Sequence, residues 1–449
     1  MRSSALALTA TLAAGLVVTA APPARANGRP PASVKLVFRP GNTTDILAGV
    51  TFGLMVSRDD AQTWRWICES AVGFQGTFDP DYELTASGTI WATTFEGLRF
   101  TRDGCTWSGV PAPLGSWLVT AIAVSPDGGT VYAGAADPVL GSGIFKSTDD
   151  GLSFQATGDL GRIFDWFDTL VVSPSHPERL YGTGYRVQAG QPRQKILFRS
   201  MDAGQSWELL PVVAFGGTDI SDIQIAAVSP TDPDHVYVRL TFAHSTIGEA
   251  IYRTTTWSTP LASGGPTWSV VLDLPTYING VVVRADGSVL AATQSEGLHR
   301  STDGGATFEP VSGVTYEARC LNERPTDGSL WMCANHLPPD LMAVGRSTTG
   351  AAGSWEVKLR YQDMIGPVRC TTPGNQRDDC EANLWCGTKD QFGVTSVEID
   401  CSDAGVDGPG MPQPPRSCCD AGGPPGPEVG LGALGLLLLL RRRRATAAR

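Results

Sequence analysis

The chain has 449 residues, of which 42% are hydrophobic, which is enough apolar material for one large domain or two ordinary ones. It contains 52 glycines and 32 prolines but only 18% charged residues, a balance typical of many short strands joined by turns. The formal net charge is -11 and the middle of the chain has no basic patch. These features exclude nucleic acid as a partner held by attraction to its phosphates.

The N-terminus has the pattern of a secretory signal peptide. Arg2 precedes an apolar run over residues 5–21, and Ala24-Arg25-Ala26 supplies the small residues that signal peptidase requires. Pro22-Pro23 interrupts the run before it is long enough for a transmembrane helix. We therefore predict export, with residues 1–26 removed by cleavage after Ala26.

The main body of the chain consists of a repeated sequence pattern. An internal repeat is stronger evidence for a fold than its individual secondary-structure elements are. Three segments fit the pattern S-x-D-x-G-x-[ST]-[WF], over residues 147–154, 200–207 and 301–308. Residues 57–64 have Ala61 in place of the glycine, residues 101–107 are one residue short, and the segments ending at Trp268 and Trp355 are degraded. The closing aromatic residues recur at intervals close to the 40 to 50 residues, roughly, of a four-stranded propeller blade.

Short strands are predicted on both sides of each motif. An apolar strand ending near proline comes first, as in Ala123-Val124-Ser125-Pro126, and two further strands follow, such as 131–133 and 143–146. The residues after the motif form the fourth strand. Eight such strand triplets can be counted, the last over residues 368–370, 384–386 and 394–397, without a motif of its own. We predict an all-β propeller over residues 27–403 with eight blades, and seven blades plus a C-terminal extension is the alternative.

The repeated motif resembles the Asp-box, or BNR, repeat of sialidases, xyloglucanase-like glycoside hydrolases, sortilin-type receptors and photosystem assembly factors. The resemblance covers nearly the whole mature chain and implies a propeller fold, but it does not fix an activity. Within the motif, Asp accepts backbone N–H groups, Gly supplies a positive φ, and the aromatic residue packs between sheets. We predict structural roles for Asp59, Asp103, Asp149, Gly151, Phe154, Asp202, Gly204, Trp207, Asp303, Gly305 and Phe308.

The C-terminus carries a second sorting pattern. A Pro- and Gly-rich linker over residues 404–428 contains Cys418-Cys419, and the tail over residues 429–449 joins a short apolar stretch to Arg441–Arg444. This order resembles the MYXO-CTERM sorting signal of myxobacterial surface proteins. The resemblance implies processing and lipid anchoring at Cys418 or Cys419, at the outer membrane or cell surface of a Gram-negative bacterium, with release as an alternative. A simple tail anchor would give the same attachment, and we expect no other contact with a membrane.

Eight further cysteines are predicted to form disulfides, because an even number in an exported chain is typical of them. Cys320–Cys333 and Cys370–Cys386 lie on predicted neighbouring strands and are the preferred pairs. Cys68–Cys105 and Cys380–Cys401 are looser predictions. Since no cysteine has the spacing of a zinc ligand, we predict no metal and no cofactor, although the sequence leaves calcium in the acidic loops open.

Two enzymatic hypotheses can be stated from individual residues. A sialidase needs arginines around a carboxylate together with a Tyr–Glu pair, and the candidates are Arg39, Arg284, Arg319, Arg369 and Tyr316-Glu317. Against this, Arg39-Pro40 matches the strand-end proline of the other repeats, and the arginines differ in register. A two-carboxylate glycosidase would use acids that lie beside Trp166 and Phe167, and these are Asp165, Asp168, Asp219 and Asp222. Acids in such loops are more often solvated turn residues.

The remaining candidates do not form a catalytic arrangement in the sequence. Five histidines are scattered along the chain, at positions 176, 235, 244, 299 and 336. We therefore predict a non-catalytic, surface-anchored monomer that binds a glycan, peptide or protein partner at a propeller face. A secreted glycoside hydrolase is the alternative, and a self-associating surface-layer component is the third reading.

Overall fold

The structure is a computed structural model that describes residues 30–401 except 75–78, 95, 116, 138, 140, 161–164, 189, 216–219 and 243–247. The predicted signal peptide with Ala26, the linker with Cys418 and Cys419, and the C-terminal tail lie outside the described residues. Asp219 and His244 lie outside them as well. Within the described ranges, no helix is long and apolar enough to cross a membrane.

Short strands form antiparallel blades of four, and each blade uses one contiguous stretch of chain; the sheet of blade 1 gains a fifth strand from the C-terminal extension. Blade 1 contains β1 (Ser33–Phe38), β2 (Ile46–Val50), β3 (Gly53–Ser57) and β4 (Arg65–Cys68). Blade 2 contains β5 (Tyr82–Leu84), β6 (Ile90–Thr94), β7 (Gly97–Thr101) and β8 (Ser108–Gly109). Blade 3 contains β9 (Leu118–Val124), β10 (Val131–Asp137), β11 (Gly141–Ser147) and β12 (Gln155–Ala156). Blade 4 contains β13 (Asp165–Val172), β14 (Leu180–Arg186), β15 (Gln194–Ser200) and β16 (Glu208–Leu210).

Three more blades complete the set in the described part of the chain. Blade 5 contains β17 (Ile220–Val228), β18 (Val236–Phe242), β19 (Glu249–Thr254) and β20 (Ser269–Leu274). Blade 6 contains β21 (Ile278–Val283), β22 (Val289–Thr293), β23 (Leu298–Ser301) and β24 (Glu309–Pro310). Blade 7 contains β25 (Cys320–Glu323), β26 (Leu330–Cys333), β27 (Val344–Ser347) and β28 (Glu356–Leu359).

The blades form a closed ring around a central axis. The first strand of each blade contacts the first strand of the next, and β1 contacts β25 to complete the circle. The fold is therefore an all-β propeller, as predicted, but it has seven blades rather than eight. The alternative of seven blades plus a C-terminal extension is confirmed.

The extension, residues 366–401, is called the clasp. It begins with β29 (Gly366–Pro367), which pairs in parallel with the outer edge of β4. A π-helix over Gln376–Leu384 then continues into an α-helix over Trp385–Phe392, which ends at Gly393 in the left-handed region. The prediction of strands at 368–370, 384–386 and 394–397 was wrong: 384–386 lie within the helices, and 368–370 and 394–397 form no regular secondary structure. The helix occupies the middle of this stretch and ends at Gly393, whose left-handed conformation is typical of a helix C-terminus.

One predicted disulfide is present in the structure, and the other observed pairs differ from the predicted ones because of the clasp. Cys320–Cys333 is formed between paired strands of blade 7, as predicted. The predictions of Cys370–Cys386, Cys68–Cys105 and Cys380–Cys401 were wrong, because the helical clasp lies against blades 1 and 2 instead of forming a blade. The observed pairs are Cys68–Cys380, Cys105–Cys370 and Cys386–Cys401.

Each Asp-box is a turn saturated with local hydrogen bonds. In the blade 3 box, Asp149 accepts from the Ser153 amide at 3.0 Å, the Ser153 hydroxyl at 2.6 Å and the Ser147 hydroxyl at 2.8 Å. These bonds lower the pKa of Asp149 to about 2, with the Ser153 hydroxyl contributing most. Gly151 has φ +80° and lies so close to Trp91 of blade 2 that a Cβ atom would meet the indole at 2.0 Å. The box thus fixes the turn and the contact with the preceding blade.

Candidate functional site

The propeller has two faces that differ in how they are built. The box face carries the first-to-second strand turns and the Asp-box turns, such as residues 173–179 and 201–207. The loop face carries the second-to-third strand loops and the crossings to the next blade, such as residues 294–297 and 275–277. Because the box side chains are occupied by their own turns, the loop face offers more free side chains for a ligand.

The arginines proposed for a sialidase site are not brought together. Arg39 and Arg284 follow inner strands at the box face, Arg319 precedes β25 at the loop face, and Arg369 lies in the clasp. Each pairs with a different acid: Arg39 with Asp45, Arg284 with Glu323, Arg319 with Glu317 and Arg369 with Glu381. These residues therefore form no shared carboxylate-binding site.

A β-bulge in the inner strand of blade 4 reorganises the predicted acidic cluster. Between β13 and β14 the register shifts at Asp168, which lies opposite no residue of β14. The same irregularity occurs at Val34, Thr120, Ser221 and Asn279, on the inner strands of blades 1, 3, 5 and 6. Bulges commonly redirect a side chain, and here the bulge removes Asp168 from the ladder close to the loop face.

The register produced by the bulge aligns three side chains across the strands of blade 4. Trp166 pairs with Tyr185, and Tyr185 pairs with Lys195, so all three side chains lie on the same face of the sheet. The rings of Trp166 and Tyr185 are parallel, with centroids 6.2 Å apart. The cationic groups of Arg193 and Lys195 lie 4.8 Å and 5.2 Å from the Tyr185 centroid.

Lys195 joins blade 4 to blade 5. Its Nζ lies 3.3 Å from Oδ1 of Asp222 on β17 and 4.0 Å from Oδ2 of Asp168 on β13. The lysine side chain is 11% exposed, whereas Asp168 is 23% and Asp222 33% exposed. The lysine therefore reaches the two carboxylates from within the blade interface, and both acids keep accessible surface. We call the group of Trp166, Asp168, Tyr185, Arg193, Lys195, Asp222 and Gln224 the 4–5 cleft.

Asp168 is incompletely satisfied in this cleft. Its Oδ2 is buried and has no hydrogen-bond partner among the described residues, and the same holds for Oγ1 of Thr120 at the matching bulge of blade 3. Burial, together with the charge of Asp222 and against the opposing charges of Lys195 and Arg193, raises the pKa of Asp168 to about 6. A buried oxygen without a donor is costly, so this position invites a proton, a water molecule or a ligand hydroxyl.

Asp222, by contrast, is held in a continuous network. Its Oδ2 accepts from Nε2 of Gln224 at 2.9 Å, and Oε1 of Gln224 accepts from Arg239. Arg239 also approaches Glu249 at 3.7 Å and donates to the carbonyl of Ile278 at 2.6 Å. The network fixes Asp222 against blade 5 and continues to blade 6.

The other predicted members of the cluster lie elsewhere. Asp165 is buried and accepts two hydrogen bonds from Arg186, at 2.7 Å and 2.9 Å. Phe167 is also buried and packs against Phe198 and the backbone at Gly134 of blade 3. The structure therefore brings Asp168 and Asp222 together and separates Asp165 from them.

Four members of the cleft are not among the residues predicted from the sequence, namely Tyr185, Arg193, Lys195 and Gln224. The pairing of Tyr185 with Lys195 could have been predicted from the sequence, because the two residues lie at equal distances from the centre of the loop that joins β14 to β15. Without knowledge of the bulge, however, counting from the turn would pair Trp166 with Arg186. No group of histidines, cysteines or acids in the described ranges is arranged to hold a metal ion.

The described histidines stay apart from the cleft. His235 contacts the Tyr237 hydroxyl at 2.9 Å, and His336 packs on Tyr361. His299 is buried, and burial lowers its pKa. His176 contacts Ser175 at the surface. None of these contacts includes a member of the 4–5 cleft.

No protein-family model and no curated protein matches the chain. Among solved structures, the chain is similar to the GH74 xyloglucanase from Xanthomonas campestris, with 14% identity and a TM-score of 0.39 over 70% of this chain. It covers 56% of the length of that enzyme. It is also similar to YCF48 from Cyanidioschyzon merolae, with 13% identity and a TM-score of 0.47. The match covers 67% of this chain and 92% of YCF48.

A third similar structure is that of a nidogen/laminin complex, with 7% identity, a TM-score of 0.38 and coverage of 61% of this chain and 95% of that chain. At such identities these similarities concern the fold alone.

Proposed function

We propose that this protein is an exported, surface-displayed propeller that binds a neutral glycan in the 4–5 cleft. The observation that carries the proposal is the Trp166–Tyr185 pair beside Asp168, whose side chain is partly exposed and whose Oδ2 receives no hydrogen bond from the described residues. Sugar hydroxyls are neutral donors that can pair with a partly exposed carboxyl group, and aromatic side chains with a few polar groups are typical of ligand sites.

The charges of the cleft favour a neutral ligand over an ionic one. Asp168 and Asp222 are balanced by Lys195, which lies between them, and by Arg193, which lies over Tyr185. A charged group entering this set would leave an unbalanced charge in a half-buried site, which is costly. Hydroxyl groups add hydrogen bonds without adding charge.

Surface display is supported by the disulfides and by the sorting pattern of the C-terminal sequence. Four disulfides among the described residues indicate an extracellular protein. The MYXO-CTERM-like tail, with processing at Cys418 or Cys419, would supply the attachment to the cell surface.

The test is a glycan array probed with the labelled full chain, oxidised after export to the periplasm. We expect binding to neutral oligosaccharides, and loss of that binding in Trp166→Ala. The matched control is Tyr277→Ala, which removes an exposed aromatic side chain from the same face at the boundary of blades 5 and 6. Equal loss in both variants, or binding only to sialylated or sulfated glycans, would contradict the proposal. Self-association without any glycan binding would favour a surface-layer role.

A further inference from the structure

We infer that the boundary of blades 1 and 2 holds a second binding site, at the box face, for a small uncharged aromatic group such as an indole or phenol ring. A cavity of about 230 Å³ lies there, bordered by Asp103 and Gly104 of the blade 2 box. We call it the 1–2 cavity. It shares no residue with the 4–5 cleft, so this inference does not depend on glycan binding.

One position on the second strand of each blade explains why the other boundaries are filled. It directly follows the residue that pairs with the first residue of the box, and in five blades it is aromatic, namely Trp91, Tyr132, Tyr181, Tyr237 and Trp331. The hydroxyl groups of Tyr181 and Tyr237 donate to the next blade, at Pro233 (2.7 Å) and Gly304 (2.9 Å). The side chain at this position therefore fills the blade boundary at the box face.

Blade 1 has short side chains at this position and at the one paired with it. The residue at the aromatic position is Leu47, and its partner on the third strand is Val56. The corresponding partners in the other blades are longer, namely Phe100, Lys146, Arg199, Arg253, Arg300 and Arg346. Blade 6 also has a leucine, Leu290, but there Arg300 reaches across and donates to the carbonyl of Thr349. Blade 1 thus leaves open a volume that larger side chains occupy elsewhere.

The lining of the 1–2 cavity is apolar with two cations beside it. Its apolar side chains are Val56, Ile67, Ile90 and Val368. Arg58 and Arg65 also line it, and 44% and 30% of their side chains are exposed. Each is already paired with an acid, Arg58 with Asp45 and Arg65 with Glu398, so neither calls for an anionic ligand. Guanidinium groups attract the face of an aromatic ring, which favours an aromatic ligand over a saturated one.

The remaining polar side chains of the lining are occupied within their own boxes. The Thr63 hydroxyl donates to Asp59 at 2.6 Å, and Asp103 accepts from the amides of Cys105 and Thr106, both at 2.8 Å. They therefore offer no strong preference for a polar ligand. An apolar cavity of about 150 Å³ can hold benzene, so the larger 1–2 cavity has room for one ring or two fused rings.

The clasp fixes the walls of the cavity. Val368 follows β29 directly, and its amide donates to the carbonyl of Trp66 at 2.9 Å. The disulfide Cys105–Cys370 joins the clasp to the blade 2 box beside Gly104. Because both segments are held before a ligand enters, binding does not have to order them.

The first experiment is a calorimetric titration of indole, phenol and cyclohexanol into the oxidised full chain. We expect phenol to bind about fivefold or more tightly than cyclohexanol, which has no aromatic face to present to the arginines. Competition of N-acetyl-tryptophanamide with indole would identify an aromatic side chain as the natural source, and binding of indole alone would identify a free small molecule. Equal affinity for phenol and cyclohexanol, or no binding of indole, would overturn the inference.

The second experiment fills the cavity. Val56→Phe places a ring there, as Phe100 does at the matching position of blade 2, and should weaken indole binding by about tenfold or more. Leu47→Trp, which follows Trp91, is an independent filling variant with the same expected loss. The matched control is Val270→Phe, on the exposed outer strand of blade 5, which should bind indole as wild type does.

Thermal unfolding verifies that each variant is folded. Unchanged indole affinity in the folded filling variants would overturn the inference. Asp168→Asn should leave indole binding unchanged, so a failure of the 1–2 cavity and a failure of the proposed glycan site can be told apart.

Discussion

Two clusters, each of one lysine and two carboxylates, lie between neighbouring blades on opposite sides of the ring. Between blades 1 and 2, Lys35 on β1 donates to Asp81 and, at 3.3 Å, to Glu83 on β5. Both carboxylates of this cluster therefore receive a hydrogen bond from the lysine. Burial raises the pKa of Glu83 to about 6, with a further contribution from Asp81 and against the effect of Lys35.

The cluster of the 4–5 cleft differs in one respect. Lys195 approaches Asp222 at 3.3 Å but remains 4.0 Å from Asp168, whose Oδ2 has no donor among the described residues. An acid with a raised pKa is present on both sides of the ring, so the raised pKa does not by itself mark a ligand site. The unsatisfied oxygen and the adjacent aromatic pair are what distinguish the 4–5 cleft.

The side of the ring with the satisfied cluster is also the side that is covalently closed. Cys68–Cys380 and Cys105–Cys370 join the clasp to blades 1 and 2. Strand β29, which follows blade 7, pairs with β4 of blade 1, and these disulfides complement that pairing and the non-covalent contact of β1 with β25. The ring is thus reinforced by covalent bonds at its closure.

The largest effect is expected from the closure. Replacing Cys68 and Cys380 by Ser should lower the free energy of unfolding by about 4 kcal/mol, because this bond restricts the unfolded chain even when Cys105–Cys370 is intact. The control Cys320→Ser/Cys333→Ser, with a span of 13, should cost about 3 kcal/mol. Denaturant unfolding without reductant measures both, and equal losses would show that ring closure does not depend on the long-range bond.

The next effect concerns the buried ion pair of blade 4. Arg186→Met should lower the free energy of unfolding by about 3 to 5 kcal/mol, because it leaves the buried Asp165 carboxylate without its two donors. The control is Arg39→Met on blade 1, which should cost about 1 kcal/mol or less because Asp45 keeps its bond to Arg58. Thermal or chemical unfolding distinguishes them, and a small loss in Arg186→Met would mean that water reaches Asp165.

A smaller effect should depend on pH. Because the folded pKa of Asp168 is about 6, above its ordinary value of 3.8, the unfolded chain loses this proton first and folding stability falls as pH rises from about 4 to 6. Asp168→Asn cannot ionise, so its stability relative to wild type should increase over that range by about 2 to 3 kcal/mol, less any screening by solvent. Unfolding at pH 4 and pH 7 tests this. Glu83→Gln should gain less, because it also removes an acceptor from Lys35, and a constant difference for Asp168→Asn would contradict the raised pKa.

The smallest effect should be the same on both sides of the ring. Asp59 in blade 1 and Asp202 in blade 4 accept matching bonds from the hydroxyl and amide at the end of their boxes. Replacing either with Ala should cost about 1 to 2 kcal/mol. Thermal unfolding of the two variants side by side is the measurement. Losses that differ by more than the experimental error would mean that the boxes have different roles in the two blades.

The propeller fold could be predicted because the residues that specify each blade lie close together in the sequence. Each box specifies its own turn through residues within about one turn of chain, such as Ser147, Asp149 and Ser153, so the motif alone predicts a blade. The blade count failed because closure is not local. The contact of β1 with β25, and the clasp that replaces an eighth blade, join parts of the chain that lie hundreds of residues apart.

The same contrast between local and long-range contacts explains which disulfides and which site residues could be predicted from the sequence. Cys320–Cys333 was predictable, since its cysteines lie opposite each other in one hairpin, whereas Cys68–Cys380 depends on the clasp. The acids Asp168 and Asp222 stand out in the sequence, but their meeting through Lys195 depends on a bulge at Asp168 itself. A bulge adds a residue without changing the pattern of apolar residues enough to be noticed.

The most direct test of the central claim, that the 4–5 cleft is the ligand site, is a calorimetric titration of one array-positive neutral oligosaccharide into three proteins. These are wild type, Asp168→Asn and Glu83→Gln. We predict that Asp168→Asn weakens binding by about tenfold or more, since one charge-assisted hydrogen bond is lost, while Glu83→Gln binds as wild type does. Equal affinity for wild type and Asp168→Asn, or loss of binding in Glu83→Gln alone, would contradict the claim.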